Sequence, residues 1–262
     1  MRMINIAHGQ FVLLGGYGAF LLVQHLQLNP AYGIVLAVAG AIVIGLPLYA
    51  AVVPRLQASR DPEMLSFILF FGIAQMIDAL LIVFFGADQR SLPEGALGSG
   101  SLGLLGQSFP DSWWVAAATS LAAIVGLYLY FTRTRLGFAT RAIMANREEA
   151  LATGINVQRV SAIAFVIGLA LAGIAGVFVP YLLGSISPDI GDGLTTTSFA
   201  VIIIGSLGNP LGTIVGGLVF GVGTLLMQTF LPSWSNLVPY ALLVIIVLIR
   251  PSGLLGKSVR TA

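Results

Sequence analysis

The chain has 262 residues, of which 57% are hydrophobic and 8% are charged, and its mean hydropathy is +0.98. A soluble domain of this length needs far more charged surface, so the composition excludes that class. Several apolar runs are long enough to cross a bilayer, and the alternating segments of a membrane barrel are not seen. We therefore predict an all-α polytopic membrane protein whose residues 1–262 form a single transmembrane domain.

Eight hydrophobic segments follow in chain order and predict a bundle of about eight transmembrane segments. The sixth is too short to cross roughly 30 Å of hydrocarbon as an upright helix. It also runs into Gly208, Asn209 and Pro210, which break helices. We therefore expect the sixth and seventh segments to be a Gly/Pro-broken pair, buried in protein or lining a cavity. The segments span approximately residues 4–24, 31–53, 64–86, 113–131, 160–181, 196–208, 211–230 and 236–249.

The uneven distribution of Lys and Arg between the loops predicts the orientation. With the N-terminus inside, Arg90 is the only one of the 12 Lys and Arg residues on the outer side. We therefore expect both termini in the cytoplasm. The Gly- and Ser-rich segment 87–112 then faces outward, and Trp113 and Trp114 follow it as an interfacial anchor.

The sequence offers few residues for catalysis or metal binding. There is no cysteine, and His8 and His25 are the only histidines, without a carboxylate cluster, so no metal site is predicted. Nucleophile-elbow and Walker A sequences do not occur, so we expect no catalytic residue, no cofactor and no ATP site in this chain. The basic pI near 9.2 reflects cytoplasmic arginines rather than nucleic-acid binding.

Many of the charges gather in one loop, residues 132–159, which we name the coupling loop. Asn146 can cap a helix, Glu149 follows at the spacing of a capping box, and Gly154 can end the helix. Together with Glu148, which suits the positive end of the helix dipole, these residues predict a helix over 147–153.

A helix this short is marginal in water and needs a packing partner. The loop is either an ordinary solvated connection or a docking element for a cytosolic protein. The capped helix and the apolar side chains that we expect to be exposed favour docking. These apolar side chains are Ile143, Met144, Leu151 and Ile155.

Polar and Gly-rich positions inside the predicted spans are candidates for a transport pathway. Asn5 and His8 either line an aqueous path or make helix–helix hydrogen bonds, and Gln10 shares both interpretations. Asp78 is the only acidic residue well inside a predicted span, and we favour a structural or interface role for it. The broken pair contributes four further pathway candidates, for which the alternative is close packing of small residues. These four are Gly205, Gly208, Asn209 and Gly212.

Four stretches of the chain, in order, match the pattern of a known family. They are INIAHGQFVLLGGY, TRLGFATRAIMANREEALATGINVQRV, FAVIIIGSLGNPLGTIVGGLVFGV and LIRPSGLLG. They resemble the branched-chain amino acid permeases of ABC importers, the LivH/LivM type, and LivH more than LivM. The run from Glu148 to Gly154 resembles the family's EAA loop, with Glu149 where that motif often has Ala. The family usually has a hydrophobic segment before the first stretch, so either the true start lies upstream or one helix is missing.

The resemblance implies the permease subunit of an ATP-driven importer, most naturally for branched-chain or other hydrophobic amino acids. Urea, short amides, another small solute and, more distantly, a ribose-type sugar are alternative substrates. A self-sufficient channel or secondary transporter is the competing class. That class favours an inverted repeat and paired intramembrane carboxylates, and neither is clear in the sequence.

The resemblance also implies partners and a location. The partners are a second homologous permease (LivM-like), two cytoplasmic ABC ATPases (LivG/LivF-like) that bind ATP and Mg²⁺, and a periplasmic or lipid-anchored substrate-binding protein. The location is the bacterial inner membrane. In this arrangement a coupling helix transmits ATPase movement to the permease, and six residues are expected to serve it: Arg141, Asn146, Glu148, Glu149, Ala150 and Gly154.

Overall fold

The computed structural model describes residues 5–104, 107–206 and 210–256. The chain divides into two compact units, Met1–Asp192 and Gly193–Ala262, and each is described by itself. Helices dominate both units and confirm the predicted all-α class. They are α1 (His8–Leu26), α2 (Tyr32–Gln57), α3 (Pro62–Phe85), α4 (Asp111–Arg133), α5 (Arg135–Ala145), α6 (Arg147–Ala152), α7 (Val157–Leu182), α8 (Gly191–Gly205), α9 (Pro210–Phe230) and α10 (Val238–Ile249). Within these described ranges, three short 3-10 turns lie at Glu94–Leu97, Pro188–Ile190 and Pro232–Leu237.

Seven helical stretches in the described part of the chain are long and apolar enough to cross a membrane. They are α1, α2, α3, α4, α7, α9 and the stretch Pro232–Ile249. The remaining apolar helix, α8, has 15 residues and is shorter than a spanning helix. Within the described residues each of the eight predicted segments corresponds to a helix, and the sixth is short, as predicted. Gly208 and Asn209, between α8 and α9, lie outside the described residues.

The first unit is built on close contact between α1 and α7. A methyl group added to Gly176 would lie 1.8 Å from the carbonyl oxygen of Val12, and one on Gly15 would lie 2.0 Å from that of Gly173. Small residues let helix backbones approach this closely in membranes, where packing rather than the hydrophobic effect drives association. The outward faces of α2 and α3 carry many exposed large apolar side chains, as expected of surfaces that meet lipid.

In the second unit, the chain after α10 returns to the end of α8. The amides of Leu254 and Leu255 donate to the carbonyl oxygens of Ile204 (2.9 Å) and Gly205 (3.3 Å). Gly253 makes this return possible because its φ is +79°, a conformation that glycine adopts without strain. A methyl group there would also lie 2.7 Å from the Cα of Ser206. The C-terminal Pro-Ser-Gly-Leu sequence therefore closes the open end of α8.

The segment 87–112 is more ordered than its Gly- and Ser-rich sequence suggests. It contains a two-stranded antiparallel hairpin of β1 (Ser101–Leu104) and β2 (Gln107–Pro110). Asp111 closes the base of the hairpin, since its Oδ2 accepts a hydrogen bond from the Gly100 amide at 2.9 Å. The hairpin was not predicted because Gly and Ser have low strand propensity and the strands are short.

Candidate functional site

The coupling loop begins with a tight turn between α4 and α5. Thr134 is the single residue between the two helices, and its Oγ1 caps α5 by accepting from the Gly137 amide at 2.9 Å. Gly137 lies against the end of α4, where an added methyl group would be 1.8 Å from the Tyr130 carbonyl oxygen. The Tyr130 hydroxyl also contacts Thr140 Oγ1 at 3.0 Å. The direction in which α5 leaves α4 is therefore fixed by specific contacts.

The predicted coupling helix is α6, which runs from Arg147 to Ala152, one residue shorter than predicted. Asn146 caps it as expected, since its Oδ1 accepts from the amides of Glu148 (3.0 Å) and Glu149 (3.4 Å). The reciprocal bond of a capping box differs here. The Glu149 carboxylate accepts from the Asn146 side-chain Nδ2 at 2.7 Å, because the Asn146 backbone amide already donates to Ala142 at the end of α5. One residue thus joins α5 and α6.

Gly154 ends α6 as predicted, and the surrounding bonds complete a Schellman motif. Its φ is +81°, its amide donates to the Leu151 carbonyl oxygen at 3.0 Å, and the Ile155 amide donates to the Ala150 oxygen at 3.1 Å. This pair of bonds satisfies carbonyl groups that the end of a helix otherwise leaves without partners. Both ends of a six-residue helix are therefore capped by the loop itself.

The prediction that four apolar side chains of the loop are exposed is wrong for two of them. Ile143 is buried and forms a small core with Ala150, Val157 and Val160, while Ile155 packs against that core. The sequence alone could not show this, because the core forms only when α5 and α6 fold back onto the start of α7. Ala150 is 3% exposed, so it supports α6 by packing and offers no contact surface.

Exposed apolar side chains nevertheless remain on the loop. Phe138, Met144 and Leu151 are each about half exposed, at 50%, 51% and 49%. The Arg141 guanidinium lies 5.0 Å from the centre of the Phe138 ring, and Glu148 and Glu149 are exposed on the first turn of α6. The loop therefore presents a surface on which apolar and charged side chains are exposed side by side.

A second connection, which sequence reasoning missed, joins α6 to another part of the first unit. The Arg147 Nη2 donates to the Gln57 Oε1 at 3.0 Å, and Gln57 is the last residue of α2. The two residues are far apart in sequence and lie in polar segments that give no pairing signal. Through Asn146, the small core and Arg147, α6 is tied to α5, α7 and α2.

The pathway candidates Asn5 and His8 are brought together at the start of α1. They line a pocket of about 200 Å³ with Phe70 of α3 and Phe165 of α7. The Asn5 Oδ1 is buried and has no hydrogen-bond partner within the structure. Both interpretations of Asn5 and His8, a pathway role and a helix–helix hydrogen bond, stay predictions.

In the second unit, Gly205 and Gly212 contact each other through their backbones. A methyl group on Gly205 would lie 2.1 Å from the Gly212 carbonyl oxygen, and one on Gly216 would lie 2.4 Å from that of Val201. These contacts are the close packing that the Gly spacing suggested as an alternative. Whether the same residues also line a pathway stays a prediction, and Gly208 and Asn209 lie outside the described residues.

The fold and the coupling loop together define a class: a polytopic membrane protein with a rigid, capped helical element between two of its apolar helices. The family described as branched-chain amino acid transport system, permease component, matches residues 1–247. The chain belongs to this family, and the prediction of an ABC permease similar to LivH is confirmed. It is thus a multi-pass permease component of a transport system.

Individual relatives agree with this assignment over nearly the whole chain. The high-affinity branched-chain amino acid transport permease LivH of Salmonella typhimurium is 29% identical, covering 97% of this chain and 86% of the relative. The probable LivH permease of Methanocaldococcus jannaschii is 28% identical, with coverages of 96% and 82%. The ribose import permease RbsC of Bacillus subtilis is 30% identical over 41% of this chain and 35% of its own length. No solved structure matches the chain.

Proposed function

We propose that this chain is the permease subunit of an ATP-driven importer for branched-chain and other hydrophobic amino acids. The family and its LivH relatives support the transport role and the substrate class. The observation that carries the coupling role is α6, a helix of six residues with both ends capped and apolar and acidic side chains exposed beside it. A connection that served only to join two spans would need neither cap.

The contacts of α6 explain how it would transmit force. An ATPase that moves α6 also moves α7, because Ala150 of α6 shares a core with Val157 and Val160 of α7. The helix α7 packs backbone to backbone against α1, so the displacement would continue into the first unit. Packed interiors transmit strain because they contain few voids to absorb it. The permease itself would carry out no covalent chemistry.

The proposal includes the partners and the location expected from the sequence. A second homologous permease would complete the pathway, two cytoplasmic ABC ATPases would dock on the coupling loops, and a periplasmic or lipid-anchored binding protein would deliver the substrate. The protein would lie in the bacterial inner membrane with both termini in the cytoplasm, as the positions of Lys and Arg favour.

The test uses the complex purified with its native partners and reconstituted in vesicles. Gly154→Pro removes the amide that donates to the Leu151 carbonyl oxygen. It also places proline at a position whose φ is +81°, which the proline ring cannot adopt. We expect the number of leucine molecules imported per ATP hydrolysed to fall about tenfold or more, since the substitution costs about 3 kcal/mol locally.

The matched control is Gly98→Pro in the segment 87–112. Gly98 has a φ of +146° and donates its amide to the Gly95 carbonyl oxygen at 3.2 Å, so the substitution likewise removes an amide bond and a positive φ. The import-to-ATP ratio should stay unchanged in this variant. Equal ratios in the two variants would refute the coupling role, and a wild-type complex that imports no leucine would refute the substrate class.

A further inference from the structure

A group of polar side chains lies between α1 and α3 in the first unit. Short loops join α1 to α2 and α2 to α3, so α1 and α3 run in the same direction. The rings of Tyr17 and Phe85 meet with centroids 4.5 Å apart. Gln10 and Asp78 each lie seven residues before that ring pair, two helical turns or about 10 Å away and on the same helix faces. Gln10 and Asp78 are therefore at the same level of the bundle.

A stretch of irregular backbone enters the bundle beside these helices. Ile186 exchanges backbone hydrogen bonds with Arg90 at 2.7 and 2.8 Å, and Ile186 and Ser187 are fully buried. The stretch then reaches Gly191, where an added methyl group would lie 2.5 Å from the Gln10 amide nitrogen. Irregular backbone at membrane depth persists only when protein buries it or when it lines a cavity.

This stretch brings two more carboxylates to the level of Gln10 and Asp78. The Gln10 Nε2 donates to Asp192 Oδ1 at 3.3 Å, and Asp192 and Asp189 lie near enough to Asp78 for their like charges to repel its carboxylate. The Tyr17 hydroxyl lies within electrostatic range of Arg90 and, with smaller effects, of Asp189 and Asp78. We name this group the acidic site; its side chains are Gln10, Tyr17, Asp78, Asp189 and Asp192.

Three polar atoms of the acidic site are buried and have no hydrogen-bond partner among the residues that the structure describes. They are the Gln10 Oε1, the Tyr17 hydroxyl and the Asp78 Oδ1. Gln10 and Tyr17 are each only 1% exposed, so bulk water does not reach them. A buried polar atom without a partner costs about 1–3 kcal/mol. Three such atoms around the same carboxylates indicate that a hydrogen-bond donor carrying positive charge belongs between them.

The nearby arginine does not fill this role. The Arg90 guanidinium donates through Nε and Nη2 to the carbonyl oxygen of Phe85 and lies 5.4 Å from the centre of the Phe20 ring. A bound metal is also a poor fit. Among the described residues, no group of three or more Asp, Glu, His or Cys side chains is arranged to hold a metal ion. A larger cation that donates several hydrogen bonds fits the wider spacing.

We propose that the acidic site binds the ammonium group of an alkylammonium ligand, and that in transport this ligand is the amino acid itself. The transport part of the inference rests on the proposed function. An ammonium has three N–H donors, and the site offers a choice of acceptors for them in its carboxylates, the Gln10 oxygen and the Tyr17 oxygen. Asp189 and Asp192 are exposed, so a cation can approach their carboxylates from solvent, while Gln10 and Tyr17 supply the buried acceptors. In this proposal Asp78 contacts the ligand, whereas its position in the sequence favoured a structural or interface role.

Saturation-transfer NMR on the purified complex tests the site without any need for transport. The probes are isopentylamine, which is leucine without its carboxylate, and isocaproate, which is leucine without its amine. We expect isopentylamine to bind the wild-type complex and to bind Asp78→Asn at least about tenfold more weakly, because a charged hydrogen-bond partner is lost. Isocaproate should give the same signal with both proteins.

The matched control is Asp88→Asn, an exposed carboxylate in the segment 87–112 that receives the same chemical change. It should bind isopentylamine as the wild type does. If Asp78→Asn fails to assemble, Tyr17→Phe takes its place, since it retains the ring against Phe85 and removes only the hydroxyl. Unchanged isopentylamine binding in Asp78→Asn, or in Tyr17→Phe where it is used, would overturn the inference. Leucine import by the same wild-type preparation separately tests the proposed function.

Discussion

The coupling loop and the acidic site differ in whether their polar groups have hydrogen-bond partners within the protein. In the coupling loop, Asn146, Gly154 and Thr134 provide each short helix with its caps, and the hydrogen bonds close within the loop. In the acidic site, buried atoms of Gln10 and Tyr17 have no partner within the structure. The first region is complete as folded, whereas the second is complete only with a ligand.

This difference separates a part that must move as one body from a part that must bind and release. Caps and a small core give α6 a fixed shape, so an applied force displaces it instead of unfolding it. A polar site that was satisfied by its own side chains would compete with the substrate for the same hydrogen bonds. The contrast teaches that an unsatisfied buried group carries functional information, while a satisfied exposed one mainly indicates stability.

The largest expected effect concerns the sides of the membrane on which these regions lie. The chain has no cysteine, so a single introduced one is the only thiol in this protein. A cysteine at Ser99, in the segment 87–112, should be labelled by an impermeant reagent in intact spheroplasts. A cysteine at Glu148, in α6, should be labelled only after lysis. The opposite labelling pattern would show that the orientation is the reverse of the predicted one. A cytoplasmic ATPase could then not reach the coupling loop.

Much of the fold follows from apolar segment lengths, because a membrane span must satisfy its backbone internally and is therefore helical. The two ends of α6 were also predictable, since Asn146 and Gly154 act on their nearest neighbours in sequence. The acidic site was not predictable. It depends on the irregular stretch at Ile186 returning to α1, and no local pattern specifies where such a stretch packs. The burial of Ile143 escaped prediction for the same reason, since its core partners lie on two other helices, α6 and α7.

The next prediction concerns a substitution that disturbs the packing of α1 against α7, which supports the acidic site, and leaves the coupling loop intact. Gly176→Ala would place a methyl group 1.8 Å from the Val12 carbonyl oxygen and force α1 away from α7. We expect the free energy of unfolding to fall by about 1–3 kcal/mol or more, since backbone atoms cannot move aside as side chains do. The measurement is the fraction of folded protein that remains after heating in detergent, followed by size-exclusion chromatography.

Gly126→Ala is the control for this substitution. Gly126 lies within α4, and a methyl group there meets nothing within 4 Å. Both substitutions gain the same helix propensity, about 1 kcal/mol, so only the available space differs between them. A melting temperature that fell equally in both variants would show that the α1–α7 contact is not the support that we describe.

The smallest expected effect tests whether the coupling loop really depends on its own caps. Asn146→Ala removes the acceptor of the Glu148 and Glu149 amides and should destabilise α6 by about 1 kcal/mol. Hydrogen exchange of these two amides should accelerate about fivefold, and the import-to-ATP ratio should fall modestly. Asn29→Ala removes a similar bond, from Asn29 Oδ1 to the Ala31 amide at 2.8 Å, in the turn between α1 and α2. That control should leave exchange in α6 unchanged; if Asn146→Ala also leaves it unchanged, the loop's shape must come from a bound partner.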